Sequence, residues 1–338
     1  LNDYKANVNK PETFSKTLYN FNCEGLVGRM DIPFIGSDQA ERHLTWQLCC
    51  EALEAGHKLP KAQLGDQFLP TESGTLMARA ATIMGLGSGV KTFTVTPANP
   101  ARDLPSVQGA MIMFDEMTGA PKAIIDCDLV TKWKTAADSV LGAKLLANKA
   151  PKHLLILGAG TVAGNLVEAY SALFPTLEQI TLWNRSSNKA ESLARSLEKT
   201  PVPVAITLDL PRSCAAADII ASATMATEPV LQGEWVSPGT HVDLIGAFKA
   251  DMREADDALL QKSRIFVDSF QTTIEHIGEL KIPLASGAIK RADVLGDLYD
   301  LVPQKCGRKS KDDITLFKNG GGAHLDLMVA GAILKAVS

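Results

Sequence analysis

Gly158-Ala159-Gly160-Thr161-Val162-Ala163 has the G-x-G-x-x-G/A spacing, and it lies between a predicted strand and a predicted helix. Each position there has a mechanical task. Gly158 permits a tight turn, Gly160 lets backbone approach a pyrophosphate, and small Ala163 allows close helix–strand packing. Free N–H groups at the helix start then face the anion. A dinucleotide is the expected ligand. Its identity turns on the end of the next strand, where an acid would bond a ribose 2′-hydroxyl. The residues there are Trp183-Asn184-Arg185-Ser186-Ser187-Asn188-Lys189, with no acid. Arg185 and Lys189 can pair with a 2′-phosphate, and Asn184 and Ser186 can hydrogen-bond beside it. The expected cofactor is therefore NADPH, with NADH used less well. Ser222-Ala223-Thr224 ends a later strand, in the crevice at the carboxyl ends of parallel strands, and is expected on the nicotinamide side, as are Ile245 and Gly246.

The elements that must hold these residues alternate in type beyond Pro151. Strands are predicted at 154–157, 180–183, 202–206, 219–221, 241–245 and 265–268, with helices at 162–173 and 190–197. Such βα repeats give a parallel sheet covered on both faces. Earlier in the chain, Asp38 to Glu41 has capping-box spacing and predicts a helix running to Gly56. A second helix is expected around Thr75 to Ile83, then a strand through Val90, Phe93 and Val95. Ala110–Phe114 and Ala123–Cys127 form a predicted β-hairpin around Gly119, and Thr135–Ala147 a helix. The last segment, from Ile314, is expected as a strand, a glycine run and a helix that returns to the first domain. The expected fold is thus α/β. A doubly wound Rossmann domain would span 135–304, and an α+β substrate and dimerisation domain would combine 1–134 with 305–338.

Composition narrows the function classes. The 338 residues are 46% hydrophobic and 21% charged, enough for large packed cores. Lys plus Arg number 34 against 38 Asp plus Glu, a net charge of −4, which does not favour a nucleic-acid partner. No apolar run reaches the roughly 20 residues that span a bilayer. The N-terminal residues lack a basic region followed by an apolar one, so no signal peptide is expected. Cys23, Cys49, Cys50, Cys127, Cys214 and Cys306 contain no C-x-x-C pair and are expected to be reduced thiols in the cytoplasm. No cluster has metal-ligand spacing.

Several further segments resemble the ornithine cyclodeaminase/mu-crystallin family: Gly89-Val90-Lys91, Asn99 to Gly109, Thr118-Gly119-Ala120-Pro121, Lys134-Thr135-Ala136-Ala137, the glycine loop, and Ile314 to Lys318. The resemblance runs in collinear order over roughly residues 40 to 335. It implies a two-domain homodimer acting on a small substrate, and it gives a carboxylate-binding role to Lys91. A second carboxylate binder of the family is an arginine where this chain has Lys134, followed by Thr135. Lysine keeps the charge and loses the bidentate geometry. A third cation is implied before the G-V-K strand, with Lys61 and Arg79 as candidates.

One departure is informative. Cyclodeaminases carry a catalytic Asp two residues after the glycine matching Gly246, and this chain has Phe248. A phenyl ring cannot shuttle the protons that ammonia loss and ring closure need. The segment Gly246 to Glu254 instead resembles the ketimine reductase branch. The expectation is NADPH-dependent reduction of a cyclic imino acid, Δ1-pyrroline-2-carboxylate or Δ1-piperideine-2-carboxylate, to L-proline or L-pipecolate. Ornithine cyclodeamination, an alanine-type dehydrogenase and a crystallin-like small-ligand binder are the alternatives. The proton donor stays open, with Asp138 and Asp326 as candidates, and His324 is expected to be structural.

Overall fold

The computed structural model describes residues 32–338, so Cys23 lies outside the described residues. Two sheets organise the chain. The first has six strands in the order β1-β6-β5-β4-β3-β2, namely β1 (Phe34–Ile35), β2 (Gln63–Pro70), β3 (Thr75–Ile83), β4 (Gly87–Val95), β5 (Val107–Phe114) and β6 (Pro121–Asp126). Strands β2 to β6 form an antiparallel meander, and β1 adds a short parallel edge on β6.

The second sheet has seven parallel strands in the order β12-β13-β11-β10-β7-β8-β9. They are β7 (His153–Leu157), β8 (Gln179–Trp183), β9 (Val204–Ile206), β10 (Ile219–Ser222), β11 (His241–Leu244), β12 (Ser263–Val267) and β13 (Ile314–Lys318). Strand order reverses at β7, which has β8 on one side and β10 on the other. That switch point opens a crevice at the carboxyl ends of β7 and β10. The α/β class and the doubly wound parallel sheet agree with the sequence.

Three expectations are corrected. Residues 75–83 form β3 and not a helix. The run is rich in Ala, Leu, Met and Arg, all good helix formers, but it pairs along its whole length with β2 and β4, and sheet pairing outweighs local propensity. Asp38 does not cap the long early helix. A four-residue turn of helix, Ser37–Ala40, ends first, and Trp46–Gly56 then starts at Thr45, whose hydroxyl accepts from the Leu48 N–H at 3.1 Å. The helix expected from Thr135 begins at Cys127, where Asp126 accepts from the Asp128 N–H at 2.7 Å.

That long helix, Cys127–Leu146, packs on both sheets, touching β5 and β6 on one side and β11 and β13 on the other. A boundary at 134/135 therefore cuts its middle. Strand β13, grouped by sequence with the first domain, hydrogen-bonds between β11 and β12 in the second sheet. The C-terminal helix Ala323–Val337 does return, lying against β3, β4 and the Trp46–Gly56 helix. The long and C-terminal helices thus carry side chains from the core into the gap between the sheets. Among the described residues no helix is long and apolar enough to cross a membrane.

Candidate active site

The glycine loop follows β7 directly. Gly158 has φ +117°, and a Cβ there would stand 2.6 Å from the Ala223 carbonyl oxygen, so only glycine fits between β7 and β10. Gly160 precedes the helix Thr161–Leu173 as its N-cap with no side-chain cap, and space above its Cα is open. Thr161 is exposed in the first turn, Val162 packs on the core, and Ala163 is buried against it. A groove of about 380 Å³ runs from Gly158, Ala159 and Gly160 past Asn184, Arg185, Ser186 and Lys189 to Ala223 and Thr224. Bare backbone, an uncapped helix start and two cations suit a dinucleotide with its phosphates.

Ser222, Ile245 and Gly246 do not line that groove. Ser222 is buried, and it is tied to a residue whose role the sequence reading missed. The Glu254 carboxylate accepts from the Ser222 hydroxyl at 2.6 Å and from the Thr224 N–H and hydroxyl, both at 2.8 Å. Its other oxygen accepts from the N–H groups of Gly246 at 2.6 Å and Ala247 at 3.1 Å. One buried carboxylate therefore fixes the ends of both β10 and β11. The Glu254 and Ala255 N–H groups donate in turn to Glu279, which burial and the charge of Glu254 push up to about 7. The acid in Asp251-Met252-Arg253-Glu254 was visible in the sequence, but nothing in the spacing tied it to residues 222–224.

A second cleft, of about 520 Å³, lies between the sheets. Arg79, Met77 and Asp66 line it from the first sheet, and Phe248, Thr272 and Gly320 from the second. Arg79 is paired in register with Lys91 across β3 and β4. Its guanidinium donates to Asp66 at 2.8 and 3.0 Å and to the Gly321 carbonyl at 2.5 Å. Of the two candidates, Arg79 lines this cleft, whereas Lys61 pairs with Asp297 at 3.0 Å.

Lys91 and Lys134 are both buried and converge on Asp326 of the C-terminal helix. The Lys91 ammonium is 2.8 Å from Asp326 Oδ1 and 3.3 Å from the Thr131 hydroxyl, while Lys134 is 3.8 Å from the same Asp326 oxygen. Burial alone would raise Asp326, but Lys91 and Lys134 outweigh it and hold the carboxyl below its usual range. Asp326 therefore stays ionised. Its Oδ2 is buried without a partner. Burial, then Lys91 and Arg79, lower Lys134 despite the attraction of Asp326. Its Nζ packs against Gly321, whose φ is +67° and where a Cβ would stand 2.7 Å from it. Asp268 holds that glycine run by accepting from the Gly320 and Gly321 N–H groups at 2.8 and 2.6 Å. Thr135 is half-buried beside Lys134 and does not line the cleft.

The remaining candidates separate. Phe248 is 53% exposed on the cleft, with no carboxylate in its place. Asp138 is buried one turn beyond Lys134 and does not line the cleft, and burial with the neighbouring Asp268 pushes its carboxyl well up. His324 is buried with neither ring nitrogen partnered, edge-on to His57 at 5.6 Å, and burial drives it neutral.

A parallel dinucleotide sheet facing a cationic cleft across a shared long helix defines the class, a two-sheet nicotinamide-cofactor oxidoreductase. The ornithine cyclodeaminase/mu-crystallin family matches residues 54–338, and the chain belongs to it. A Delta(1)-pyrroline-2-carboxylate reductase of Paracoccus denitrificans is 56% identical over 306 residues, covering 90% of this chain and 97% of that one. The solved Thermococcus litoralis Delta(1)-pyrroline-2-carboxylate reductase, in complex with NADH and L-proline, superposes with TM-score 0.84 at 26% identity, covering 90% of this chain and 97% of that chain. An archaeal alanine dehydrogenase dimer with bound NAD gives TM-score 0.83 at 28% identity, covering 90% and 95%.

Proposed function

We propose that the protein reduces a cyclic imino acid, Δ1-pyrroline-2-carboxylate first and Δ1-piperideine-2-carboxylate second, to L-proline or L-pipecolate with NADPH. The observation that carries this reading is Arg79 on one wall of a cleft whose opposite wall is Phe248, with Lys91 and Lys134 buried behind it around Asp326. Three cations against Asp66 and Asp326 leave one net positive charge, matched to a monocarboxylate. Arg79 can present a planar fork to it, and Lys91 and Lys134 point charges. Phe248 offers an apolar face to a ring and no group for ammonia loss, which disfavours cyclodeamination. The 56% identity to a pyrroline-2-carboxylate reductase supports the same substrate class.

NADPH when bound would supply a hydride. Gly158, Ala159, Gly160, Thr161 and Val162 would hold its pyrophosphate, and Asn184, Arg185, Ser186 and Lys189 its 2′-phosphate. Ala223 and Thr224 would border the ring, with Ser222, Gly246 and Glu254 bracing them and Ile245 behind. The protein's share is orientation, exclusion of water and proton supply. The reading extends to a cytoplasmic homodimer, for which exposed Phe68 and Leu69 on β2 would offer an apolar edge.

The test is NADPH oxidation followed by absorbance with pyrroline-2-carboxylate, piperideine-2-carboxylate, and pyruvate plus ammonia. Turnover of the cyclic imines well above the last pair is expected. Preference for pyruvate plus ammonia would replace the reading with an amino-acid dehydrogenase.

A further inference from the structure

The reduction needs a proton at the imine nitrogen, and the site holds few groups able to give one. Asp326 is ionised between two lysines. Arg79 donates to Asp66 and to the Gly321 carbonyl. Lys91 already donates to Asp326 at 2.8 Å and to Thr131 at 3.3 Å. His324 lies on the His57 side, ring to ring. Lys134 differs from all of these. Its ammonium has no hydrogen-bond partner among the described residues, its nearest carboxylate oxygen is 3.8 Å away, and it abuts Gly321, beside the Gly320 and Arg79 wall of the cleft.

We infer that Lys134 is the acid that protonates the imine nitrogen, not only an anchor for the substrate carboxylate. The inference rests on the reductase reading above. The family resemblance implies arginine at this position. An arginine can hold a carboxylate but cannot release a proton, whereas a lysine can do both. As hydride bonds to the imine carbon, the C=N π pair moves onto nitrogen. A new N–H bond forms while one Nζ–H bond of Lys134 breaks. The reduced nicotinamide is oxidised, the imine carbon is reduced, and Nζ is left as a neutral amine that regains its proton from water in the open cleft.

The surroundings favour that release. Lys91 on β4 and Arg79 on β3 face Lys134 and push its proton off, while Asp326 on the C-terminal helix pulls the other way. Asp138 on the same helix and Asp268 beyond β12 are both raised by burial, which weakens their hold on the ammonium. His324 is neutral.

The test compares wild type with Lys134→Arg and Lys134→Met between about pH 6 and about pH 9, using cyclic imine and NADPH. Above the imine's own pKa the substrate arrives unprotonated, and kcat of both variants should fall by about 100-fold or more. As pH drops below it, the substrate brings its proton, and kcat of both should climb back towards wild type. Lys134→Met should also raise KM, whereas Lys134→Arg should still bind the non-reducible analogue pyrrole-2-carboxylate by calorimetry much as wild type does. Lys134→Arg with near wild-type kcat at about pH 9 overturns the inference, because a clamp then suffices. Equal loss at every pH overturns it too, by marking a structural lesion. A wild-type protein that reduces no cyclic imine overturns the functional reading, and this inference with it.

Discussion

Replacing Lys91 by alanine should damage stability and catalysis by separable amounts. The ammonium sits 2.8 Å from Asp326 Oδ1, with the two side chains 5% and 1% exposed. Removing it leaves Asp326 with Lys134 at 3.8 Å as its nearest cation and with an oxygen that already lacks a partner. Breaking a buried pair of this kind costs about 3–5 kcal/mol, because the surviving charge stays desolvated. Asp326 is held low in the folded state, so its stabilisation is present above the unfolded carboxylate pKa and is lost as pH falls through the folded value. In Lys91→Ala that depression should largely vanish, leaving burial to raise the carboxyl. The variant should therefore be least stable relative to wild type near neutral pH, and the gap should narrow in acid. The double variant Lys91→Ala, Asp326→Asn removes both charges and should recover much of the lost stability in urea unfolding. It should not recover kcat/KM, which falls by about 10- to 100-fold when a charge-assisted carboxylate contact of about 1.5–3 kcal/mol disappears. A double variant with restored turnover would refute the assignment of Lys91 to the substrate and leave it a structural partner of Asp326.

Three other substitutions probe the remaining assignments. Arg185→Ala should raise the KM for NADPH by about 10- to 100-fold and leave that for NADH almost unchanged, and equal weakening of both would contradict a 2′-phosphate contact. Phe248→Asp should depress imine reduction by placing a carboxylate near that of the substrate, while the unmutated protein releases no ammonia from L-ornithine; comparable ammonia release would sink the reductase reading. Asp243 is pushed up to about 7 by burial, so the folded state holds a proton that the unfolded chain gives up near the ordinary carboxylate range. Stability from this group should therefore decline as pH rises from about 4 to about 7, and Asp243→Asn should flatten that part of a Tm–pH curve.

How much of this was legible in the sequence depended on whether a feature is local. The glycine loop was readable because its chemistry is backbone geometry within a few residues, and the β7–loop–helix unit appears where it was expected. The cations at Arg185 and Lys189 were readable for the same reason, since both follow one strand end. Arg79 could only be named beside Lys61, because its place depends on β3 being a strand, and the helix-forming residues of 75–83 concealed that. Once β3 pairs with β4, Arg79 falls opposite Lys91 by register alone. Glu254 was invisible as a brace because its partners lie 30 and 32 residues away along the chain.

The lysine pair shows how the distant features combine. Lys91 comes from a strand of the first sheet, Lys134 from the helix that touches both sheets, and Asp326 from the helix that closes the chain. No one segment contains the charge balance that sets their protonation. Packing alone brings them together, and low local dielectric then makes each charge decide the state of the next. Asp326 is kept ionised by two ammoniums, and the closer bond, at 2.8 Å, goes to Lys91. Lys134 is left with the longer contact, and burial and its cationic neighbours lower its pKa. An arginine at 134 would have held its charge whatever its neighbours did. Lysine makes the charge at this position depend on them, which is why the pH profile of Lys134→Arg reads the arrangement of the whole site.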